Sequence, residues 1–224
     1  EASKNTEVKA GSIAIDEAHF PDKVFREQII AEFDKDGDSV LSVDEISKAQ
    51  FLNLHDMKTI SSLEGIQYLT NLQSLDVSTT SVSDLSPVKN SSLKRLDCRS
   101  SKVRSVDLTR YPNLEAFVCD NTSINSLDVS KNEKLNTLFA DSTSISNLDV
   151  TNNPNLEQLS CSNTGLMELD VTHNPQLVTL DIGDTKVKTL DISKNPNLKQ
   201  LSCYMTNIAE LDVTKNTKLT RLFC

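Results

Sequence analysis

The chain has 224 residues, of which 37% are hydrophobic and 4% are aromatic, so its core must be built mainly from aliphatic side chains. The formal net charge of −9 argues against nucleic acid as a partner, because phosphate binding needs clustered lysine and arginine. The sequence contains no run of about 18 apolar residues, which a membrane span would require.

Residues 1–12 are polar, which predicts a loose N-terminal tail with no signal peptide in this chain. Residues 13–51 predict a helical N-terminal cap. Pro21 and Asp22 favour the start of a helix, and Ser42 with Glu45 predicts a capping box for a second helix over 42–50. The first helix would bury an apolar face made of Val24, Phe25, Ile29, Ile30 and Phe33.

The segment "DKDGDSVLSVDE", residues 34–45, matches the ligand spacing of an EF-hand loop. Its oxygen ligands suit one Ca²⁺, and we expect no other cofactor. Ser39 departs from the motif, because that position normally carries glycine with a positive φ. The alternative is a polar loop without metal that joins the two cap helices. The candidate ligands are the side chains of Asp34, Asp36, Asp38 and Glu45 and the carbonyl of Val40.

From residue 52 to residue 224 the sequence repeats with a constant period, which is set by evenly spaced leucines. Counting from the first leucine of each unit, apolar side chains recur at +3, +5 and +10, and a second apolar pair recurs at +13 and +15. The side chains at +3 and +5 alternate as in a strand, so both would point inward. The first leucines are Leu72, Leu93, Leu114, Leu135, Leu156, Leu177, Leu198 and Leu219.

This pattern, L-x-x-L-x-[CVAI]-x-x-[TS]-x-[VIL], closely resembles the leucine-rich repeat family. The segments "LTNL" and "SDLSPVKN" in the first units are similar to internalin repeats, and the later units resemble the repeats of secreted bacterial leucine-rich repeat proteins. The resemblance implies a mostly β solenoid of about nine coils with a parallel sheet on its concave face. The pairs at +13 and +15 predict short second strands on the back.

Polar residues and cysteines also recur in register. Aspartate at +14 fits either a calcium-binding row or, as we prefer, carboxylates that accept backbone N–H groups of their own turns. Asparagine at +18 and threonine or serine at +8 are read as turn residues with the same role. All five cysteines occupy the +5 slot, which favours free thiols that pack as small hydrophobic groups. They are Cys98, Cys119, Cys161, Cys203 and Cys224.

The exposed +2, +4 and +6 positions of the sheet are the expected recognition positions. They suggest one cluster of charges around apolar residues and a second near the C-terminal end that contains Met205 and Arg221. Exposed aromatic and arginine side chains are typical interface anchors. The candidate binding residues are Arg95, Asp97, Arg99, Val118, Asp120, Phe139, Asp141, Tyr204 and Phe223.

We therefore expect a non-catalytic binding protein, exported or displayed on a bacterial surface, that recognises a protein or, less favoured, a glycan. No nucleophile is expected to pair with His19, His55 or His173. The alternative is a spacer module of a longer secreted protein, without a ligand of its own. The uncovered last coil suggests either a fragment or end-to-end pairing of two copies.

Overall fold

The computed structural model describes residues 10–224, so residues 1–9 of the expected tail lie outside the described part. The cap consists of two helices and one antiparallel pair of two-residue strands. Their bounds are β1 (Ile13–Ala14), α1 (Lys23–Phe33), β2 (Val40–Leu41) and α2 (Val43–Lys48). Helix α2 ends earlier than expected, because the chain leaves the helical conformation at Ala49 (φ −75°, ψ 80°).

Asp22 joins the cap to the solenoid. One carboxylate oxygen accepts the N–H groups of Val24 and Phe25, each at 3.1 Å, and so caps α1. The other oxygen accepts the N–H groups of Ser61 and Ser62 in the first coil, at 2.9 and 3.2 Å. Burial alone would raise the pKa of Asp22, but these N–H donors outweigh it and lower the pKa below 3.8.

The solenoid is a nine-stranded parallel sheet in which every strand pairs with the next one along the chain. Most neighbouring strands are related by one repeat period, as when Leu75 lies beside Leu96. The first coil is two residues longer, since Leu52 lies beside Leu75. The strands are β3 (Phe51–Asn53), β4 (Ser74–Asp76), β5 (Arg95–Asp97), β6 (Ala116–Val118), β7 (Thr137–Phe139), β8 (Gln158–Ser160), β9 (Thr179–Asp181), β10 (Gln200–Ser202) and β11 (Arg221–Phe223).

Repeated side chains at +3, +5 and +10 fill the interior of the solenoid, as the spacing predicts, except that Leu222 and Cys224 of the last coil are exposed. Four cysteines of the +5 slot are buried free thiols, and Cys224 is an exposed free thiol. Burial raises the pKa of the Cys161 thiol. These cysteines therefore act as small apolar core residues and not as a disulfide framework.

A tight turn follows each strand of the repeats. The residue at +7 has a positive φ of 52–57° in seven successive coils, although none of these residues is glycine. At +8 a threonine or serine hydroxyl donates to the +5 carbonyl of its own coil, as Thr143 does to Ala140 at 2.7 Å. The predicted hydroxyl ladder is therefore a set of bonds within each coil. The left-handed positions at +7 are Thr79, Ser100, Asn121, Ser142, Asn163, Asp184 and Met205.

The prediction of second strands on the back is wrong, because the segments at +13 to +15 form no strand within residues 10–224. Asparagine side chains take the place of a backbone ladder there. The amide nitrogen of Asn174 donates to the carbonyls of Val150 and Asn153 in the preceding coil, both at 2.9 Å. The same pair of bonds recurs in the coils of Asn132, Asn153, Asn195 and Asn216.

The aspartates at +14 accept backbone N–H groups from their own turns. Asp149, for example, accepts the N–H of Thr151 at 2.9 Å and its hydroxyl at 2.7 Å. The hydroxyl bond is the largest of the influences that lower the pKa of Asp149. This arrangement agrees with the turn-stabilising interpretation of the aspartate column.

Met205 provides a test of the left-handed turn. Its φ is 54° and 74% of its surface is exposed, so it bears left-handed strain with little burial in return. Asparagine tolerates this conformation better, and Met205→Asn should therefore raise the free energy of unfolding by about 0.5–1 kcal/mol. Met167→Asn is the matched control, because Met167 is exposed but is not among the residues with positive φ. Equal changes in the two variants, measured by urea unfolding, would contradict the assignment.

Asp22 provides a pH-dependent test of the cap. Because its folded pKa lies below 3.8, its charge contributes stability above that pH, and the contribution disappears as pH falls through the folded pKa. Asp22→Asn should therefore lower the melting temperature at neutral pH, and the gap from the parent should close in acid. The exposed Asp44→Asn serves as the control. A gap that stays constant from neutral pH into strong acid would exclude a role for the charge.

Candidate functional site

The side chains at +2, +4 and +6 lie on the outer side of the nine-stranded sheet, which we call the recognition face. In the first cluster, two predicted members are not exposed. Asp97 is 0% exposed and Val118 is 1% exposed. In the register of the sheet, Val118 lies between Asp97 and Phe139, with one neighbouring strand about 4.8 Å away on each side, and its short side chain does not reach the surface. The expectation that Val118 forms part of the contact surface is therefore wrong.

Two arginines cover the carboxylate of Asp97. The Nε of Arg99 lies 3.0 and 3.1 Å from its two oxygens, and the Nη2 of Arg95 lies 3.3 Å from Oδ2. The bond to Asp97 is also the largest influence raising the pKa of Arg99. Both arginine side chains remain nearly half exposed, so Asp97 holds two cations in place at the surface. The carboxylate of Asp97 is itself buried beneath the two arginines.

Asp120 and Asp141 lie on successive coils beside this arginine pair. Asp120 accepts the N–H of Asp141 at 2.8 Å, and Asp141 accepts the N–H of Ser162 at 2.7 Å and the hydroxyl of Ser160 at 2.6 Å. Burial raises the pKa of Asp120. Within the described part of the chain, neither carboxylate has a salt bridge. Half-buried Phe139, at +4 of the same coil as Asp141, completes this cluster.

The second cluster lies near β10 and β11, with Tyr204 and Phe223 on the recognition face and Met205 in the adjoining turn at +7. Tyr204 is 42% exposed, Met205 74% and Phe223 58%. The Tyr204 ring lies across Gly183 of the preceding coil, where an added Cβ would be 2.2 Å from ring atom Cε1. An open hollow of about 610 Å³ lies beside these rings, lined by Thr179, Asp181, Gln200 and Ser202 among others.

Gly183 and the polar residues of this hollow were not among the candidate residues. The sequence did carry a signal for Gly183, since it is the only glycine in the +6 column and precedes a tyrosine at +6 of the next coil. The polar residues occupy +2 and +4 positions that vary from coil to coil. Their grouping therefore becomes visible only in the structure.

The EF-hand-like loop brings three of its five candidate ligands together. Carboxylate oxygens of Asp34, Asp36 and Asp38 lie within 4.8 Å of one another. Ser39, at the position where the motif favours glycine, has a φ of 61° and so adopts the left-handed conformation that the position requires.

Glu45 does not join that cluster of carboxylates. One of its oxygens accepts the N–H of Lys35 at 2.7 Å, and the other accepts the N–H and hydroxyl of Ser42 at 2.9 and 2.7 Å. Burial would raise the pKa of Glu45, but these donors lower it below 4.5. Val40 is the first residue of β2 and pairs with Ala14 of β1, which fixes the end of the loop. Three carboxylates fit a cation here, while Glu45 would have to exchange partners to bind one.

No histidine in the described part of the chain is arranged as a general base for a nucleophile. His55 Nδ1 lies 2.8 Å from the hydroxyl of Ser78, but that hydroxyl donates to Asp76, so the histidine must donate to it and cannot take its proton. Ser78 is also buried. His19 and His173 each lie beside an aspartate, Asp16 and Asp170 respectively. Separately, none of the described residues forms a helix with the length and apolarity needed to cross a bilayer.

Neither a protein-family model nor a curated protein matches this chain in sequence. Solved structures do match it. Internalin C2 from Listeria monocytogenes has a TM-score of 0.81 at 24% identity, over 97% of this chain and 98% of that one. A leucine-rich repeat protein from Leptospira interrogans has a TM-score of 0.73 at 20% identity, over 80% of this chain and 50% of that one.

The functional domain of InlJ from Listeria monocytogenes, which includes a cysteine ladder, has a TM-score of 0.52 at 24% identity, over 95% of this chain and 61% of that one. At these identities the likeness shows a shared fold. It agrees with the repeat pattern, the nine parallel strands and the inward-facing column of leucines. The chain therefore folds as a leucine-rich repeat solenoid of the type found in bacterial internalins.

Proposed function

We propose that this protein is a non-catalytic binding module whose recognition face takes up a partner protein. The observation that carries the proposal is the first cluster, in which half-buried Phe139 lies among charged side chains that bonds within the chain hold in place. Aromatic and arginine side chains in such settings supply much of the free energy of binding at protein interfaces. Because the strands fix these side chains, little conformational entropy would be lost on binding.

The charges of the cluster suggest the chemistry of the partner. Arg95 and Arg99 share the carboxylate of Asp97, and Asp76 lies opposite Asp97 on the neighbouring strand, so the charges on this side are balanced. Both arginine side chains are nearly half exposed, which leaves them open to an acidic group of a partner. Asp120 and Asp141 supply negative charge one and two coils further on. A matching partner would present an acidic group next to a basic group, with an apolar side chain that reaches Phe139. Such complementarity favours specificity and correct orientation.

We also propose that the protein acts outside the cell or on the cell surface, as the resemblance implies, and that it is not an enzyme. The competing function is a spacer module that has no ligand. A spacer has no use for a buried aspartate that holds two arginines at the surface, two strands from a half-buried aromatic ring, and this favours the binding module. Glycan recognition by the first cluster is less favoured, because charge pairs dominate its surface.

Phe139→Ala tests the protein-binding proposal. Candidate partners would come from an array of extracellular proteins and glycans, and each hit would be measured by surface plasmon resonance. Loss of the ring should weaken binding to a protein hit by about thirtyfold, as expected for an anchor worth about 2 kcal/mol. Met167→Ala removes an exposed apolar side chain away from the recognition face and should leave affinity unchanged. Protein hits that bind Phe139→Ala as well as they bind the parent would show that the first cluster is not the anchor, and an array without any hit would favour the spacer.

A second activity is favoured by the three clustered carboxylates of residues 34–45. We expect Asp34, Asp36 and Asp38 to bind one Ca²⁺, with the left-handed Ser39 closing the turn as the motif requires. Glu45 is already held by two backbone N–H groups, so the site would be weak unless Glu45 exchanges these partners. Weak sites of this class suit the millimolar calcium of extracellular fluid.

Calcium binding can be measured as a change in thermal stability. Millimolar Ca²⁺ should raise the melting temperature, because a ligand that binds only the folded state stabilises it. Asp36→Asn should abolish the rise, since Asp36 makes only one weak bond within the loop, at 3.3 Å to the N–H of Asp38. Asp44→Asn, outside the cluster, should preserve it. A melting temperature that responds to neither Ca²⁺ nor a chelator would exclude the site.

A further inference from the structure

The hollow beside β9 to β11 differs in chemistry from the first cluster. Two exposed aromatic rings, Tyr204 and Phe223, border it, and the side chains of Thr179, Gln200 and Ser202 line it. Asp181 is the one charged side chain in its described lining. The hollow therefore combines apolar ring surfaces with neutral groups that both donate and accept hydrogen bonds.

Gly183 fixes the position of the Tyr204 ring. The φ of Gly183 is not in the left-handed region, so its backbone does not require glycine. Space does require it, since an added Cβ would lie 2.2, 2.6 and 2.8 Å from three atoms of the ring. The ring thus rests on the sheet with part of its surface open to solvent. An aromatic ring held in this way needs no rearrangement to stack against a ligand.

The polar groups of the hollow are available to a ligand. In the described part of the chain, the side chains of Thr179, Gln200 and Ser202 make no hydrogen bond to other residues. Asp181 accepts the N–H of Gly183 at 2.9 Å through Oδ1, which leaves Oδ2 free. Hydroxyl and amide groups can each donate and accept, while the carboxylate only accepts.

The charge of the hollow narrows the ligand class. Among the described residues, its lining has no lysine or arginine, so a phosphate or sulfate group of a ligand would gain no ion pair. Its one carboxylate, that of Asp181, is a poor match for a strongly basic peptide segment. A neutral ligand with an apolar face and a rim of hydroxyl groups matches both the rings and the lining. A sugar ring has this combination, with C–H groups on its face and hydroxyls at its edge.

We infer that this hollow binds a neutral sugar ring, with the C–H face of the sugar on Tyr204 and its hydroxyls on Gln200, Ser202 and Asp181. This subsite is separate from the Phe139 cluster and does not depend on the protein-binding proposal. The competing occupant is a proline-rich peptide, which also docks in grooves lined by aromatic rings. A peptide gains less from the polar lining, because proline offers no N–H donor.

The test uses the full chain labelled with ¹⁵N and titrated separately with chitotriose, cellotriose, maltotriose and N-acetyllactosamine, each to about 10 mM, a range that detects millimolar affinity. Polyproline is titrated in the same way. At least one sugar should shift the amide signals of Gly183 and Ser202. Saturation transfer from the aromatic protons should be strongest at the C–H protons of that sugar.

Three variants and one control locate the binding. Tyr204→Ser and Gly183→Val should each weaken sugar binding by about tenfold or more, the first by removing the ring and the second by displacing it. Tyr204→Phe keeps the stacking surface and should bind within about threefold of the parent. Phe51→Ala removes an exposed aromatic side chain at the opposite end of the sheet and should have no effect. The unshifted amide signals of each variant report whether it is folded.

Three results would overturn the inference. The first would be that none of the four sugars shifts the amide signals of Gly183 and Ser202. The second would be that sugar binding persists unchanged in Tyr204→Ser. The third would be that polyproline shifts these amide signals and the sugars do not. None of these outcomes bears on the Phe139 cluster, which is tested by its own variant.

Discussion

The side-chain amides of the buried asparagines at +18 hold the back of this solenoid together. The sheet side has backbone hydrogen bonds between successive coils, but the back has no strand within residues 10–224. There, Asn153 donates to the carbonyls of Val129 and Asn132 at 3.0 and 2.9 Å, and the same pattern recurs from coil to coil. Coils that are joined on both sides keep a constant register, and the recognition face depends on that register.

The buried amides also carry a free-energy cost, because each has an oxygen atom without a hydrogen-bond partner. The Oδ1 atoms of six buried asparagines in this column have no partner among the described residues. A buried acceptor without a partner costs about 1–3 kcal/mol. Asparagine occupies +18 in six coils, and where Tyr111 replaces it the tyrosine hydroxyl still donates to the carbonyl of Val88 in the preceding coil. The donated bonds between coils offset the cost of the unpaired oxygens. An aliphatic residue would fill the space but would not bond to the preceding coil.

Much of the fold could be predicted from the sequence, because each apolar column keeps one kind of side chain and one spacing. Leu75 and Leu96 indicate the strands, and the capping residues Asp22 and Ser42 indicate the helices. The asparagines were also visible, but sequence alone shows a turn residue and not which coil its amide reaches. The apolar residues at +13 and +15 suggested strands, because side chains two residues apart point to the same side of any extended backbone. That pattern does not show whether the backbone also forms hydrogen bonds with the neighbouring coil.

The candidate site was harder to predict, because exposure on a narrow sheet depends on neighbours in the coils before and after. Val118 occupies an outward-facing position and is still covered, and Asp97 is covered by the arginines that it holds. The left-handed positions at +7 have no common residue type, so Met205 gave no sign of its strain. Gly183 did stand out as the only glycine of the +6 column, but its role becomes clear only when the structure places the Tyr204 ring of the next coil across it.

The most direct test uses urea unfolding to compare alanine variants of two asparagines, one at +18 of its repeat and one at +17 of the preceding repeat. Asn174→Ala removes two donated bonds between coils, whereas Asn152→Ala removes an exposed side chain on the same side of the solenoid. We expect Asn174→Ala to lower the free energy of unfolding by about 1–3 kcal/mol and Asn152→Ala to change it by less than about 0.5 kcal/mol. Equal effects in the two variants, or a more stable Asn174→Ala, would show that the amide column does not hold the coils together.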